Sequence, residues 1–358
     1  MGSRSLISSL LFLLILNGIF TACIDPIAFE AEDDSVKLVI FGSFSDQYKD
    51  HEVSIRVTGK FGSVGTVVPD ALVEVIDEDG NKARFYESGE GKYILPKGEM
   101  PGIPGKAYKL IVTLPNNNIY ESTWELMPEP ANIENTYFEI NFRNQLTEYD
   151  NVIQQFFIDV FIDTPLRTST GRKAYFRWEV DETYSFTDLS CGGLDVVTVC
   201  YFEVPSAFQP LEIYEAFDNQ QQNLTKYPVF SRLIVPYVEF NELHYFNVSQ
   251  YSISKSTYEY WEKINIVSNP TGSIFDKIPA GITGNFKSIN DNNEVLGYFE
   301  VASVTVDRTV STWQDVNAKI QIPQTCSPFV PRFRLPDYCC YCFVLPNTIP
   351  KPNYWGER

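Results

Sequence analysis

Cysteine is the reactive residue that this chain carries in number: Cys23, Cys191, Cys200, Cys326, Cys339, Cys340 and Cys342 stand against two histidines, His51 and His244. An even set of six follows Cys23, which in an oxidising compartment points to disulfides. Cys326 is expected to bond within the cluster 339–342. Cys191 and Cys200 either pair locally, or one of them reaches that cluster. A thiolate metal site is the alternative, but Cys339-Cys340-Tyr341-Cys342 lacks the paired C-x₂-C spacing of zinc ribbons. With two histidines, triads and multi-histidine metal sites have almost no material. Glu179 and Asp181 share one face of an alternating segment and could act as paired carboxylates in hydrolysis; same-face acids are more commonly the wet side of a strand. Asp77, Glu78, Asp79 and Asn81, and again Asn290, Asp291, Asn292, Asn293 and Glu294, offer hard oxygen ligands for calcium. Asp-Gly turns select such residues for conformational reasons, however, and EF-hand spacing is absent. No nucleophile elbow, phosphate loop or dinucleotide fingerprint occurs, so no cofactor and no catalytic residue is expected.

The N-terminus reads as a secretory signal. Arg4 is followed by an apolar run from Leu6 to Leu16, shorter than the roughly 20 residues of a membrane span but right for a signal core. The run leads into Phe20-Thr21-Ala22-Cys23, which resembles a bacterial lipobox, so residues 1–22 are expected to be removed and Cys23 to carry lipid. Residues 23–35, with acids from Glu30 to Asp34, then form an acidic tether. Cleavage removes Arg4 alone among charged residues, and the net charge of −18 becomes −19. Such a surface argues against a nucleic-acid partner, because phosphate affinity comes from Lys and Arg.

The elements that must position these residues are strands. Val53, Ile55 and Val57 alternate with polar neighbours, as do Tyr108, Leu110, Val112 and Leu114; such alternation packs one face on a core. Segments 71–76 and 83–86 read as a hairpin closed at Asp79-Gly80. Residues 36–128 are therefore expected to form an immunoglobulin-like or transthyretin-like β-sandwich, left through Met127-Pro128-Glu129-Pro130. Residues 129–358 repeat the pattern at Phe138, Ile140 and Phe142, at Ile158, Val160 and Ile162, and at Phe176, Trp178 and Val180, which predicts antiparallel strands with a wet face. One amphipathic helix interrupts them, with capping-box spacing at Ser256 and Glu259, a stripe of Tyr258, Trp261 and Ile264, and an end near Asn269-Pro270. The expected fold class is mostly β, with two tandem domains.

An ordered set of short motifs joins these parts: Tyr251-Ser252-Ile253-Ser254-Lys255 into Tyr258-Glu259-Tyr260-Trp261, Gly272-Ser273-Ile274-Phe275-Asp276, Gly284-Asn285, Leu296-Gly297-Tyr298-Phe299, Ala302-Ser303, Tyr338-Cys339-Cys340-Tyr341-Cys342 and Lys351-Pro352-Asn353-Tyr354-Trp355. With Cys23-Ile24-Asp25-Pro26 they resemble a lipoprotein family of Bacteroidota, domain of unknown function 4249. The family usually has an acid where this chain has Tyr341. The resemblance implies an outer-membrane lipoprotein without established activity, often encoded beside a TonB-dependent receptor; acids soon after the lipidated cysteine resemble its surface-export signal. The resulting expectation is a non-enzymatic binding or lid component at the cell surface, with a β-barrel receptor as partner and a glycan or peptide as ligand. The alternatives are a carboxylate hydrolase and a structural or adhesive envelope protein.

Overall fold

The computed structural model describes residues 36–59, 65–146, 151–189, 191, 197–204, 211–216, 222–235, 238–269, 282–290, 293–321 and 326–356. The signal segment 1–22, Cys23 and the tether 23–35 lie outside the described residues, as do the motif 272–276, Pro270, Asp291 and Asn292. The chain is mostly β, as its alternation predicts, and Lys37–Arg358 group as one compact unit.

The first sandwich is built from the predicted alternation. In one sheet Leu38–Ser45 pairs with His51–Val57, which pairs in turn with Lys92–Leu95. In the other, Leu72–Asp77 lies between Lys82–Gly89 and Ala107–Thr113, and the latter pairs with Ile119–Ser122. The Lys82–Gly89 strand serves both sheets, because its end at Tyr86–Gly89 turns to pair with Lys92–Leu95. Ile40, Val53, Ile55, Val73 and Leu110 meet between the sheets without measurable exposure. Each such side chain stabilises the fold by roughly 1.5–3 kcal/mol relative to exposure.

That core is not completed by residues 36–128 alone. Phe286, Val295, Phe299 and Val301 belong to it, and Phe286–Ser288 extends the second sheet beside Ile119–Ser122. The link is the Phe299–Ser311 strand. Its residues 299–302 run parallel to Gly42–Ser45, and its residues 303–311 run antiparallel to His244–Ser252. One continuous strand therefore serves both halves of the chain, and the pairing is not antiparallel throughout.

In the second half, Tyr175–Thr187 lies between Val199–Val204 and Glu212–Glu215 on one edge and His244–Ser252 on the other. A three-stranded sheet of Asn135–Leu146, Val152–Pro165 and Asn223–Leu233 covers it. Ile158, Val160, Phe176, Trp178, Phe246 and Val248 form the core between them. Gln250 sits within this apolar layer fully buried but satisfied: it accepts from Trp178 Nε1 (2.9 Å) and donates to the Ala131 carbonyl (2.6 Å) and Thr164 Oγ1 (3.0 Å). A buried amide with these partners avoids the desolvation cost of an orphaned one.

The predicted helix, α1, spans Lys255–Ser268 and ends at Asn269 as expected. Its start differs from the sequence expectation. Ser254, not Ser256, is the N-cap and accepts from Thr257 N, while Ser256 donates instead to Glu125 (3.1 Å). A tertiary acceptor thus outcompetes the local capping box. A second helix, α2, spans Trp313–Asn317 and was not expected; Thr312 and Asp315 close a capping box around its first turn.

Candidate functional site

The Tyr175–Thr187 strand carries the proposed carboxylate pair, and period-2 geometry does place Glu179 and Asp181 on one face. Both are exposed, as the wet side of a strand would be, but the same face is buried at Arg177. Arg177, two residues before Glu179, is buried beneath α1, with its guanidinium 4.0 Å from the Tyr251 ring centre and 5.5 Å from that of Trp261. Glu300, on the bridging strand, is 1% exposed and takes Arg177 Nη2 at 2.7 Å and Nε at 3.3 Å. Trp261 Nε1 also donates to Glu300. Burial works against the Arg177 charge, yet Glu300 and then Glu179 outweigh it and hold the guanidinium protonated.

Glu179 accepts from Arg177 through one oxygen and from the Tyr251 hydroxyl through the other, at 2.6 Å. Burial would raise its pKa, but the Arg177 charge and the Tyr251 hydroxyl bring it below the ordinary range. Asp181 moves the opposite way, raised by burial and by the charges of Glu179 and Glu203. Opposed shifts in neighbouring acids are a pattern of acid–base sites, but here one oxygen of Glu179 is held by Arg177 and the other by the Tyr251 hydroxyl.

The histidines have structural settings. His51 is 3% exposed against the Phe44 ring, at 4.8 Å between ring centres, and burial with the nearby Lys49 charge lowers its pKa to about 4. His244 is fully buried; Nδ1 donates to the Glu239 carbonyl (3.1 Å) and Nε2 faces Glu182 (2.9 Å). Arg232 binds both Glu182 and Glu239 and completes this buried network.

The oxygen-rich turns are occupied by the fold. Asp77 accepts from Asn81 N and from Asn81 Nδ2, both at 2.8 Å, which lowers its pKa and holds the turn at Gly80, where φ is +88°. Lys106 binds Asp79 and stands 3.8 Å from Asp77. Asn290 accepts from Ile119 N and donates to the Asn117 carbonyl, and Glu294 binds Lys37 at 2.8 Å.

The six later cysteines pair as Cys191–Cys340, Cys200–Cys342 and Cys326–Cys339, with Cα separations of 5.3, 6.0 and 5.3 Å. Cys326 bonds within the terminal cluster, as expected. Cys191 and Cys200 do not pair with each other, and both reach the cluster. Tyr184, Phe186, Cys200, Phe202 and Cys342 bury together beneath the segment, so the cross-links have an apolar seat. Above it the segment exposes Phe329 at 93%, Phe333 at 83% and Phe343 at 67%, with Tyr341 and Val344 also exposed. Arg332, Arg334 and Lys351 against Asp337 give residues 326–356 a basic balance within a chain of net charge −18.

Glu125 is a residue that sequence reasoning passed over. It is 4% exposed and collects hydrogen bonds from Thr123, Ser254, Ser256, Asn285 and Tyr298. Its partners are in large part motif residues: Gly284-Asn285 and Gly297-Tyr298-Phe299 form the seam between the start of α1 and the first sandwich. Asn285 mimics a strand there, donating to the Phe299 carbonyl and accepting from Phe299 N. Gly297, with φ of +99°, approaches so closely that a Cβ would stand 1.9 Å from the Ile40 oxygen. Nothing in the local sequence sets Glu125 apart from Glu121 and Glu129, four residues to either side; its role comes from donors distant in the chain.

Residues 24–308 match the family described as Domain of unknown function (DUF4249). No curated protein matches the chain.

Proposed function

Starting from this chain's membership of the DUF4249 family, we propose that it is a non-enzymatic lipoprotein of the outer membrane. In this reading Cys23 anchors it, facing the cell surface, and it docks as an accessory binding or lid component on a TonB-dependent β-barrel receptor. The observation that carries the reading is the terminal segment, where three disulfides hold an apolar, basic surface in place. Exported proteins rarely leave several phenylalanines solvated without a partner. Cross-linking removes the ordering cost that a mobile loop would meet on binding, and aromatic side chains with Arg are the usual interface anchors.

The test is affinity purification from native outer membranes. Stoichiometric recovery of a β-barrel receptor, lost when Phe329, Phe333 and Phe343 are all replaced by Ser, supports the reading. Recovery of the protein alone, with cleavage of a polysaccharide or peptide library, supports a hydrolase instead. The opposed shifts of Glu179 and Asp181 favour that second reading, and loss of cleavage in Asp181→Asn would assign it to them.

A further inference from the structure

The three-stranded sheet ends in two unlike edges. Asn223–Leu233 carries the usual guards against stray pairing: Pro228 within the strand, Lys226 at a φ of +51°, and two breaks in its register with Val152–Pro165. Asn135–Leu146 carries none of them. It runs for 12 residues without Pro, Gly, Lys or bulge, in unbroken register with Val152–Pro165, its one neighbour in that sheet. Among the described residues, no backbone group hydrogen-bonds to its outer side. A long, regular edge of this kind is a template for a further strand.

Half of the strand is also uncovered. Thr136–Ile140 are buried or half-buried, whereas Asn141–Leu146 are all exposed. Phe138 and Ile140 pack on the core, and by period-2 geometry the same face continues through Phe142, 60% exposed, to Leu146, 72% exposed. Val152, opposite Leu146 on the neighbouring strand, is 64% exposed. Phe142 keeps an edge contact with Phe156, at 6.5 Å between ring centres.

One register makes this edge complementary to itself. The strand holds two charges, Glu139 and Arg143, both on the face away from the core. Two copies paired antiparallel about a two-fold axis at Asn141 set Glu139 of each against Arg143 of the other, and Ile140 against Phe142. An axis at Glu139 or at Arg143 would instead oppose like charges, which destabilises a strand pair. An axis between two residues would send the apolar rows of the two copies to opposite sides of the sheet. The axis at Asn141 also lays the exposed half of each strand beside the covered half of the other. Within one copy Glu139 binds Lys226 and Arg143 binds Asp159, so the crossed pairs would extend existing ion pairs into rows of alternating charge.

We propose that Asn135–Leu146 is a self-association edge, through which a second copy of this chain joins the two three-stranded sheets into one of six strands. The contact is isologous, as closed two-fold interfaces are. It covers residues 137–145 of each copy and stops at Thr136, which is already buried. The net charge of −18 opposes association, so the dimer is reversible and depends on concentration. Phe329, Phe333 and Phe343 take no part, and the proposal stands apart from receptor docking.

The test is sedimentation of the full chain in detergent, with micelles in excess over protein, across a range of protein concentrations. The expected result is a monomer–dimer equilibrium, with hydrogen-exchange protection at residues 137–145 that appears only in the dimer. Glu139→Arg and Arg143→Glu each spoil two symmetry-related pairs and should weaken association roughly tenfold. An equimolar mixture of the two restores both pairs between unlike chains and should recover the dimer. Phe142 is exposed, so Phe142→Glu leaves the fold intact; it should weaken the dimer at least tenfold and decides the matter if the charge variants do not fold. The triple replacement of Phe329, Phe333 and Phe343 by Ser should leave the dimer unchanged. A chain monomeric at every concentration, a dimer undiminished by Phe142→Glu, folded charge variants that stay monomeric when mixed, or a dimer lost in the triple variant would overturn the proposal. Recovery of a receptor from a monomeric chain, lost in Phe142→Glu, would also overturn it and assign the edge to that partner.

Discussion

Arg177 and Glu300 form a buried, two-point ion pair, Nη2 to Oε1 at 2.7 Å and Nε to Oε2 at 3.3 Å, with the Arg177 side chain 8% exposed and that of Glu300 1%. They are 123 residues apart in sequence and lie on different strands, so the pair ties the bridging strand to the central strand of the second sandwich beneath α1. Removing one partner leaves an uncompensated buried charge, which typically costs about 3–5 kcal/mol, whereas replacing both by apolar residues is often close to neutral. Arg177→Met and Glu300→Gln should each lower the denaturant midpoint strongly, and Arg177→Met with Glu300→Leu should recover much of the loss. Additive losses in the double variant would contradict the pairing.

His51 predicts a specific acid sensitivity. Its pKa falls from 6.5 in the unfolded chain to about 4 in the folded one, so below 6.5 the unfolded chain binds the proton first. Its contribution is complete above pH 6.5 and is lost as pH falls toward 4, by roughly 3 kcal/mol in all. Nδ1 has no partner to lose. His51→Phe should therefore keep stability at pH 7 and flatten the stability profile between pH 6.5 and 4; an unchanged slope in that window would assign the sensitivity elsewhere.

Glu182 adds a second pH effect of the same sign. Burial acts to raise its pKa, but hydrogen bonding from His244 and the charges around it bring it below the ordinary carboxylate range. Its contribution is present above the unfolded value and is lost as pH falls through the folded one. Glu182→Gln should reduce the steepness of acid unfolding below about pH 4.5 while lowering stability at neutral pH, both read from denaturant titrations across pH.

The disulfides are checked by counting thiols in the denatured mature chain. Without reductant, none of the six cysteines from Cys191 onward should react with a thiol reagent; with reductant, all six should. Replacing Cys200 and Cys342 together by Ser should cost about 2–5 kcal/mol and expose the terminal segment to protease while the sandwiches remain folded. Six reactive thiols without reductant would remove the bridges.

Cys23→Ser tests the anchor without reference to any partner. The expected outcome is release from the membrane fraction, or accumulation of the unprocessed chain. A mature, membrane-bound Cys23→Ser protein would show that something other than acyl chains holds it.

Gly297→Ala places a Cβ against the Ile40 oxygen at a backbone conformation that L residues rarely adopt. The expected loss is roughly 2 kcal/mol or more, measured by thermal unfolding. A loss below half a kilocalorie per mole would mean that the seam between Gly297 and the Leu38–Ser45 strand can open without consequence.

Sequence by itself determined the local facts: which residues alternate, where Asp79-Gly80 turns, where α1 ends, and that six cysteines form an even set. Periodicity, turn chemistry and parity are properties of short windows or of composition, and they survive folding. Only the tertiary structure decided that Cys191 and Cys200 both reach the terminal cluster, that Ser256 gives up its capping role to Glu125, that Arg177 finds Glu300, and that Phe299–Ser311 serves both sandwiches. Each of these depends on which distant segment is neighbour to which. Pairing between distant segments is set by the global packing of the sheets, where a residue such as Glu125 is a charge in a strand until Thr123 beside it and four donors from elsewhere in the chain converge on it.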